Sequence, residues 1–117
     1  MRLPFLSALF ALAACAPAPH IVRIQPQNGW LTLNLATANR ADCGSINIGA
    51  ERIVYIIACN QGGKANLPRQ SVRLDWQAGE LVASHAANRK PLFRVQCSQA
   101  QFNQITAWQN ATPTPKP

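Results

Sequence analysis

The chain has 117 residues, with 11 Lys and Arg against 4 Asp and Glu, a formal charge of +7, and 48% hydrophobic residues. That length fits one small domain with a thin core. Four carboxylates and two histidines leave little material for an acidic metal site or a paired-carboxylate mechanism, and the basic excess points to acidic partners.

Met1-Arg2 is followed by LPFLSALFALAA and then Cys15. A positive start, about a dozen apolar or small residues and small residues at a cut site make up a secretory signal peptide, read here over residues 1–14. The run is too short to span a bilayer core, which takes about 20 residues. Its last four residues, Leu12-Ala13-Ala14-Cys15, resemble the lipobox of bacterial lipoproteins. The resemblance implies cleavage before Cys15, a diacylglycerol on its thiol and a further acyl chain such as palmitate on the new amino terminus. Three acyl chains, at about 0.8 kcal/mol per buried CH₂, make such an anchor effectively permanent. Ala16 stands where inner-membrane lipoproteins of Gram-negative bacteria usually carry aspartate. The resemblance therefore implies the outer membrane; the domain is expected in the periplasm, with exposure at the cell surface as the alternative. It is confined to the first fifteen residues.

Residues 15–20 read as a lipidated cysteine and a stiff Pro-rich spacer, and 21–109 as a single β-rich domain. IVRIQ (21–25) reads as a strand and Pro26 to Gly29 as a turn. WLTLNLA (30–36) alternates, with Leu31, Leu33 and Leu35 on one face and Thr32 and Asn34 on the other. TANRADCGS is polar and reads as a loop, and INI before Gly49 as a short strand. RIVYIIA (52–58) is apolar on both faces, the pattern of the central, most buried strand. NQGGKANLPR (60–69) reads as a long loop. SVRLDWQAGELVASHA (71–86) reads as a hairpin, with Val72, Leu74 and Trp76 on one face and Arg73 and Asp75 on the other. PLFRVQ (91–96) is the last strand. Ser98 and Gln101 have capping-box spacing, and Phe102, Ile105 and Trp108 form a helical stripe over about 99–109. Residues 110–117 read as a disordered Pro-rich tail. The fold class is mainly β: a small antiparallel sandwich or barrel of six to seven short strands with one C-terminal helix.

Cys43, Cys59 and Cys97 follow the lipidated cysteine, and disulfides persist in the oxidising envelope. An odd number allows one pair and one spare thiol. Cys59 and Cys97 both end apolar strands, so Cys59–Cys97 is the expected pair and Cys43–Cys59 the second choice. The spare thiol is either buried and inert or a bridge to another chain.

Catalytic material is sparse. Ser84 and His85 are adjacent in a strand, so their side chains point to opposite faces. A Cys43 or Cys97 nucleophile with His85 as base has no visible orienting partner. Asp42, Glu51, Asp75 and Glu80 share no common site, and Asp42 and Glu51 are expected to answer Arg40 and Arg52. There is no C-x-x-C, His-rich tract or acidic loop, so no metal or cofactor is expected. QGGK lacks the glycine spacing and the hydroxyl residue of a phosphate loop.

These features read as a non-enzymatic protein. The binding candidates are Lys64, Arg69, Arg73 and Arg94, with Trp30 as the one aromatic outside the expected core. The expected partners are the membrane, through the lipid anchor, and a larger envelope protein. Acidic protein surfaces, lipopolysaccharide phosphates and acidic peptidoglycan groups are further candidates. Nucleic acid is not favoured, because the few aromatics do not interleave with the basic residues. The leading function is an outer-membrane lipoprotein serving as an accessory subunit of an envelope, secretion or pilus assembly. The alternative is a lipid-anchored periplasmic inhibitor or immunity protein against a hydrolase such as a lysozyme, inserting the 60–69 loop into the enzyme.

Overall fold

The computed structural model describes residues 18–59 and 63–115. Residues 1–17, which carry the signal-peptide and lipobox readings at Cys15, lie outside the described residues. Among the described residues, eight strands precede one helix: β1 His20–Gln27, β2 Trp30–Thr37, β3 Arg40–Ile48, β4 Arg52–Ile57, β5 Gly63–Pro68, β6 Val72–Gln77, β7 Glu80–His85, β8 Pro91–Gln96 and α1 Gln99–Ala111. A single 3₁₀ turn, Arg69–Ser71, links β5 to β6. The class is mainly β with a C-terminal helix, as the patterning indicates, with eight strands instead of six to seven.

The additional strand material comes from segments that read as loops. Arg40–Ile48 is one continuous strand whose first residues, Arg40 to Asp42, are exposed at its hairpin end. Gly63–Pro68 is an edge strand, where Lys64 and Asn66 face solvent at no cost. Neither segment has the period-2 apolar pattern by which a half-buried strand is recognised.

The strands form one sheet in the order β5-β4-β3-β2-β1-β8-β7-β6. Two antiparallel meanders, β1–β5 and β6–β8, meet at a parallel contact between β1 and β8 through His20 and Gln96. Tyr55 on β4 and Phe93 on β8 are separated in the sheet by β3, β2 and β1. Their rings nevertheless meet edge to face, with centroids 4.8 Å apart. The sheet therefore curls around its own core, and the 3₁₀ turn brings its two edges to one corner. Gly44 permits part of this curvature. It sits at φ +138° on β3, and a Cβ there would stand 2.1 Å from the Ile56 carbonyl oxygen.

The core is built from Leu31, Leu33 and Leu35 of β2, Ile46 and Ile48 of β3, Ile53 and Ile57 of β4, and Leu81 and Val95 of the second meander. The expectation of β4 as the central, most buried strand is corrected. β2 lies deeper, while β4 is next to the edge and exposes Ile56 at 59%. An apolar residue on a strand's outer face does not require a covering layer.

Helix α1 closes the structure. Gln101 N donates to Ser98 Oγ at 3.1 Å, and Ser98 N donates to Gln101 Oε1 at 2.9 Å, the reciprocal capping box its sequence announces. Gln101 Nε2 also donates to the Ile21 carbonyl at 3.0 Å, fixing the start of the helix to β1. Ile105 is fully buried in the core, with Phe102 and Trp108 packed beside it. The helix runs to Ala111 and Thr112 is held by Arg69, so the ordered domain extends past the expected boundary at 109.

The disulfide is Cys43–Cys59, with a Cα separation of 5.4 Å, and not Cys59–Cys97. The cause is register. Gly44 pairs with Ile57, and Ala58 N donates to the Cys43 carbonyl at 2.8 Å, which sets Cys59 beside Cys43 at the mouth of the β3–β4 ladder. Cys97 directly follows β8, in the other meander, and is a buried free thiol.

Candidate binding faces

Among the described residues, grooves open on the outer face of the sheet and beside the start of the helix, and the residues singled out from sequence distribute among them unequally. On β6–β8, alternation turns Leu74 and Trp76 toward the core and Arg73 and Asp75 outward. Register then sets Arg73 opposite Ser84, and Val82 between Asp75 and Arg94. A groove of about 300 Å³ results, lined by Arg73, Arg94, Asp75, Val82 and Ser84, and by Arg89 from the β7–β8 turn. Arg73 Nε lies 2.9 Å from Asp75 Oδ2, and Arg94 Nη2 lies 2.8 Å from Glu80 Oε1. Such exposed pairs are individually weak, up to about 1 kcal/mol, but they hold the guanidinium groups in place. Arg89 makes no side-chain hydrogen bond among the described residues. It was invisible as a site residue from sequence, because a basic residue in a turn carries no pattern.

The expected pairings of Asp42 with Arg40 and Glu51 with Arg52 are corrected. Asp42 Oδ1 accepts from Gly44 N at 3.3 Å, Arg40 donates to the Ala58 carbonyl, and Arg52 donates to Asn66.

The second groove lies on the outer face of β1–β4. Trp30 begins β2 with its ring outside and Leu31 inside. Gln27, Asn28, Trp30, Thr32, Asn47 and Val54 line a groove of about 340 Å³. Across the ring, Gly49, Ala50, Glu51 and Arg52 line a smaller one of about 280 Å³. A Cβ on Gly49 would stand 2.9 to 3.2 Å from three carbons of the indole benzo ring, so the ring rests on bare backbone. Thr32 Oγ1 donates to Asn47 Oδ1 at 2.9 Å. Asn47 Nδ2 donates in turn to Ser45 Oγ at 3.3 Å and to the Val54 carbonyl at 3.4 Å.

Lys64 is exposed on the edge strand, opposite Ile56. Arg69 differs from Lys64 in that its guanidinium is committed to main-chain carbonyls. Its Nη1 donates to the Gly49 carbonyl at 3.3 Å and to the Thr112 carbonyl, and its Nη2 donates to the Gln109 carbonyl at 2.9 Å. Burial lowers its pKa from the ordinary arginine value. It is a strut between the sheet corner and the C-terminal end of α1, where a cation also meets the helix dipole.

A further groove, about 640 Å³, lies where β1 begins and α1 starts; His20, Glu80, Cys97, Ser98 and Gln101 are among its lining. The Cys97 thiol is pushed up to about 11 by burial and lies 3.3 Å from the Ser98 carbonyl. His85 is at the opposite end of β7 from Gly79, to which Cys97 N is bonded. At about 3.3 Å per residue that distance is close to 20 Å, so the two do not form a nucleophile–base pair. Cys43 is held in the disulfide. Among the described residues, no group of three or more His, Cys, Asp or Glu could hold a metal ion, and no helix is long and apolar enough to cross a membrane. Comparison with family models, curated proteins and solved structures yields no match to this chain.

Proposed function

We propose that the chain is an outer-membrane lipoprotein, anchored through Cys15, that serves as an accessory subunit of an envelope, secretion or pilus assembly by docking an acidic partner surface on its β6–β8 face. One observation carries the docking half of this reading. Arg73, Arg89 and Arg94, from three separate elements, converge on one groove. Complementary charge steers encounter and fixes register more than it adds affinity. Of these three, Arg89 is the guanidinium without an internal partner among the described residues, so a partner carboxylate meets it first. Arg73 and Arg94 can exchange Asp75 and Glu80 for partner carboxylates at little cost, because exposed pairs are weak. The lipobox resemblance supports the location. Five residues from Cys15 to His20 reach at most about 18 Å, which keeps the domain close to the membrane.

The accessory-subunit reading is preferred to the inhibitor reading because, among the described residues of the 60–69 segment, Gly63–Pro68 is a sheet edge and Arg69 is bonded to main-chain carbonyls. The test is a crosslinked pull-down from outer membranes, comparing the unaltered chain with the combined variant Arg73→Ala, Arg89→Ala, Arg94→Ala. Capture of envelope-assembly proteins by the first and its loss in the second supports the reading. Equal capture by both, or capture of a single secreted hydrolase, refutes it. Replacing Cys15 with Ser and labelling with radioactive palmitate tests the anchor separately.

A further inference from the structure

We infer that the groove beside Trp30 is a binding site for a neutral saccharide. This does not rest on the arginine groove, which lies on the other meander. The lining of the Trp30 groove consists of one indole, one valine and four neutral hydrogen-bonding side chains, those of Gln27, Asn28, Thr32 and Asn47. A pyranose presents the matching chemistry: an apolar C–H face for the electron-rich indole face, and a rim of hydroxyls for amides and a hydroxyl. No charged side chain lines this groove, so an anionic or cationic ligand would lose hydration without a counter-charge. Its volume of about 340 Å³ falls at the small end of the range for small-ligand sites, about 300–1,000 Å³.

The site is held in shape before any ligand arrives. The indole rests on Gly49, where any larger residue would displace it. Both Asn47 amide protons are committed, one to Ser45 Oγ and one to the Val54 carbonyl, and its oxygen takes the Thr32 proton. This fixes the amide plane and leaves lone pairs on Asn47 Oδ1 and Thr32 Oγ1 as aimed acceptors for sugar hydroxyls. Gln27 and Asn28 make no side-chain hydrogen bond among the described residues, and they supply the donors. Two fixed acceptors, two adjustable amides and an immobilised ring reduce the ordering cost of binding a polar ligand.

The experiment uses the full chain in detergent micelles and follows the indole N–H resonances of its three tryptophans, with Trp30→Phe identifying the Trp30 signal. Cellotetraose and chitotetraose, which differ by the acetamido group, are titrated separately to about 10 mM, enough to detect millimolar affinity. A saturable shift of the Trp30 signal with either sugar, weakened at least tenfold in Thr32→Val while spectral dispersion is retained, supports the site. The arm that binds more tightly says whether the acetamido group is read. No saturable shift of Trp30 with either sugar overturns the inference. So does a shift that survives Thr32→Val unchanged, or one confined to the other two tryptophans.

Discussion

Replacing Arg69 with alanine separates a structural strut from a surface binding residue. The side chain donates to three carbonyls, those of Gly49, Gln109 and Thr112, which join the sheet corner to the end of α1. Hydrogen bonds from a charged donor are worth about 1.5–3 kcal/mol each when buried. Arg69 is half-exposed, so water replaces part of this, and one bond at 3.3 Å is long. The helix-dipole contact adds about 0.3–1 kcal/mol. The expected loss is about 2–3 kcal/mol, or about 10–20 °C in melting temperature for a domain of this size. Thermal and urea unfolding by circular dichroism measures it. Lys64→Ala, an exposed edge substitution, serves as the control and should stay within about 0.5 kcal/mol of the unaltered chain. If Arg69→Ala melted with Lys64→Ala, the strut argument would be wrong, and Arg69 would return to the list of free surface cations.

Four further outcomes follow from the packing. Ile105→Ala, at a fully buried helix position, should cost about 2–5 kcal/mol in urea unfolding, and Asn103→Ala on the exposed side far less. Breaking Cys43–Cys59 by replacing both residues with alanine should cost about 3 kcal/mol by the loop-closure argument for its 16-residue separation. In the unaltered chain a thiol reagent should leave Cys97 untouched until urea unfolds the domain, and fast labelling under native conditions would contradict its burial. The Cys97 pKa is raised by burial from 9.0 to about 11, so the folded state holds this proton more tightly than the unfolded one. Its contribution to stability is present below pH 9 and falls away as the pH climbs toward 11. Comparing unfolding of the unaltered chain with Cys97→Ala across that window should show the difference shrinking on the alkaline side.

Local patterns carried far in this sequence. The Ser98 and Gln101 capping box, the Phe102–Ile105–Trp108 stripe and the Leu31–Leu33–Leu35 alternation each appear in the structure where their spacing put them, because each depends on residues within one turn or one strand. Trp30, Arg73 and Arg94 sit on outer faces for the same reason, since a strand's alternation decides the side on which a residue stands. β5 was hidden because its pairing energy lies in backbone hydrogen bonds to β4, which any side chain can accompany at an edge.

What only the tertiary structure decided were the meetings between distant segments. Cys59 found Cys43 and not Cys97 because of the β3–β4 register, and nothing near either cysteine encodes that choice. Arg69 became a strut because α1 ends at the corner where the curled sheet brings its edges together. Arg89 joined Arg73 and Arg94, and Asn47 joined Trp30, through strand order. The sequence by itself determined that the chain is β-rich with one helix, which residues face inward and how that helix begins, because those are properties of neighbours along the chain. The composition of each groove was set by which strands stand side by side, and that is a property of the whole sheet closing on its core.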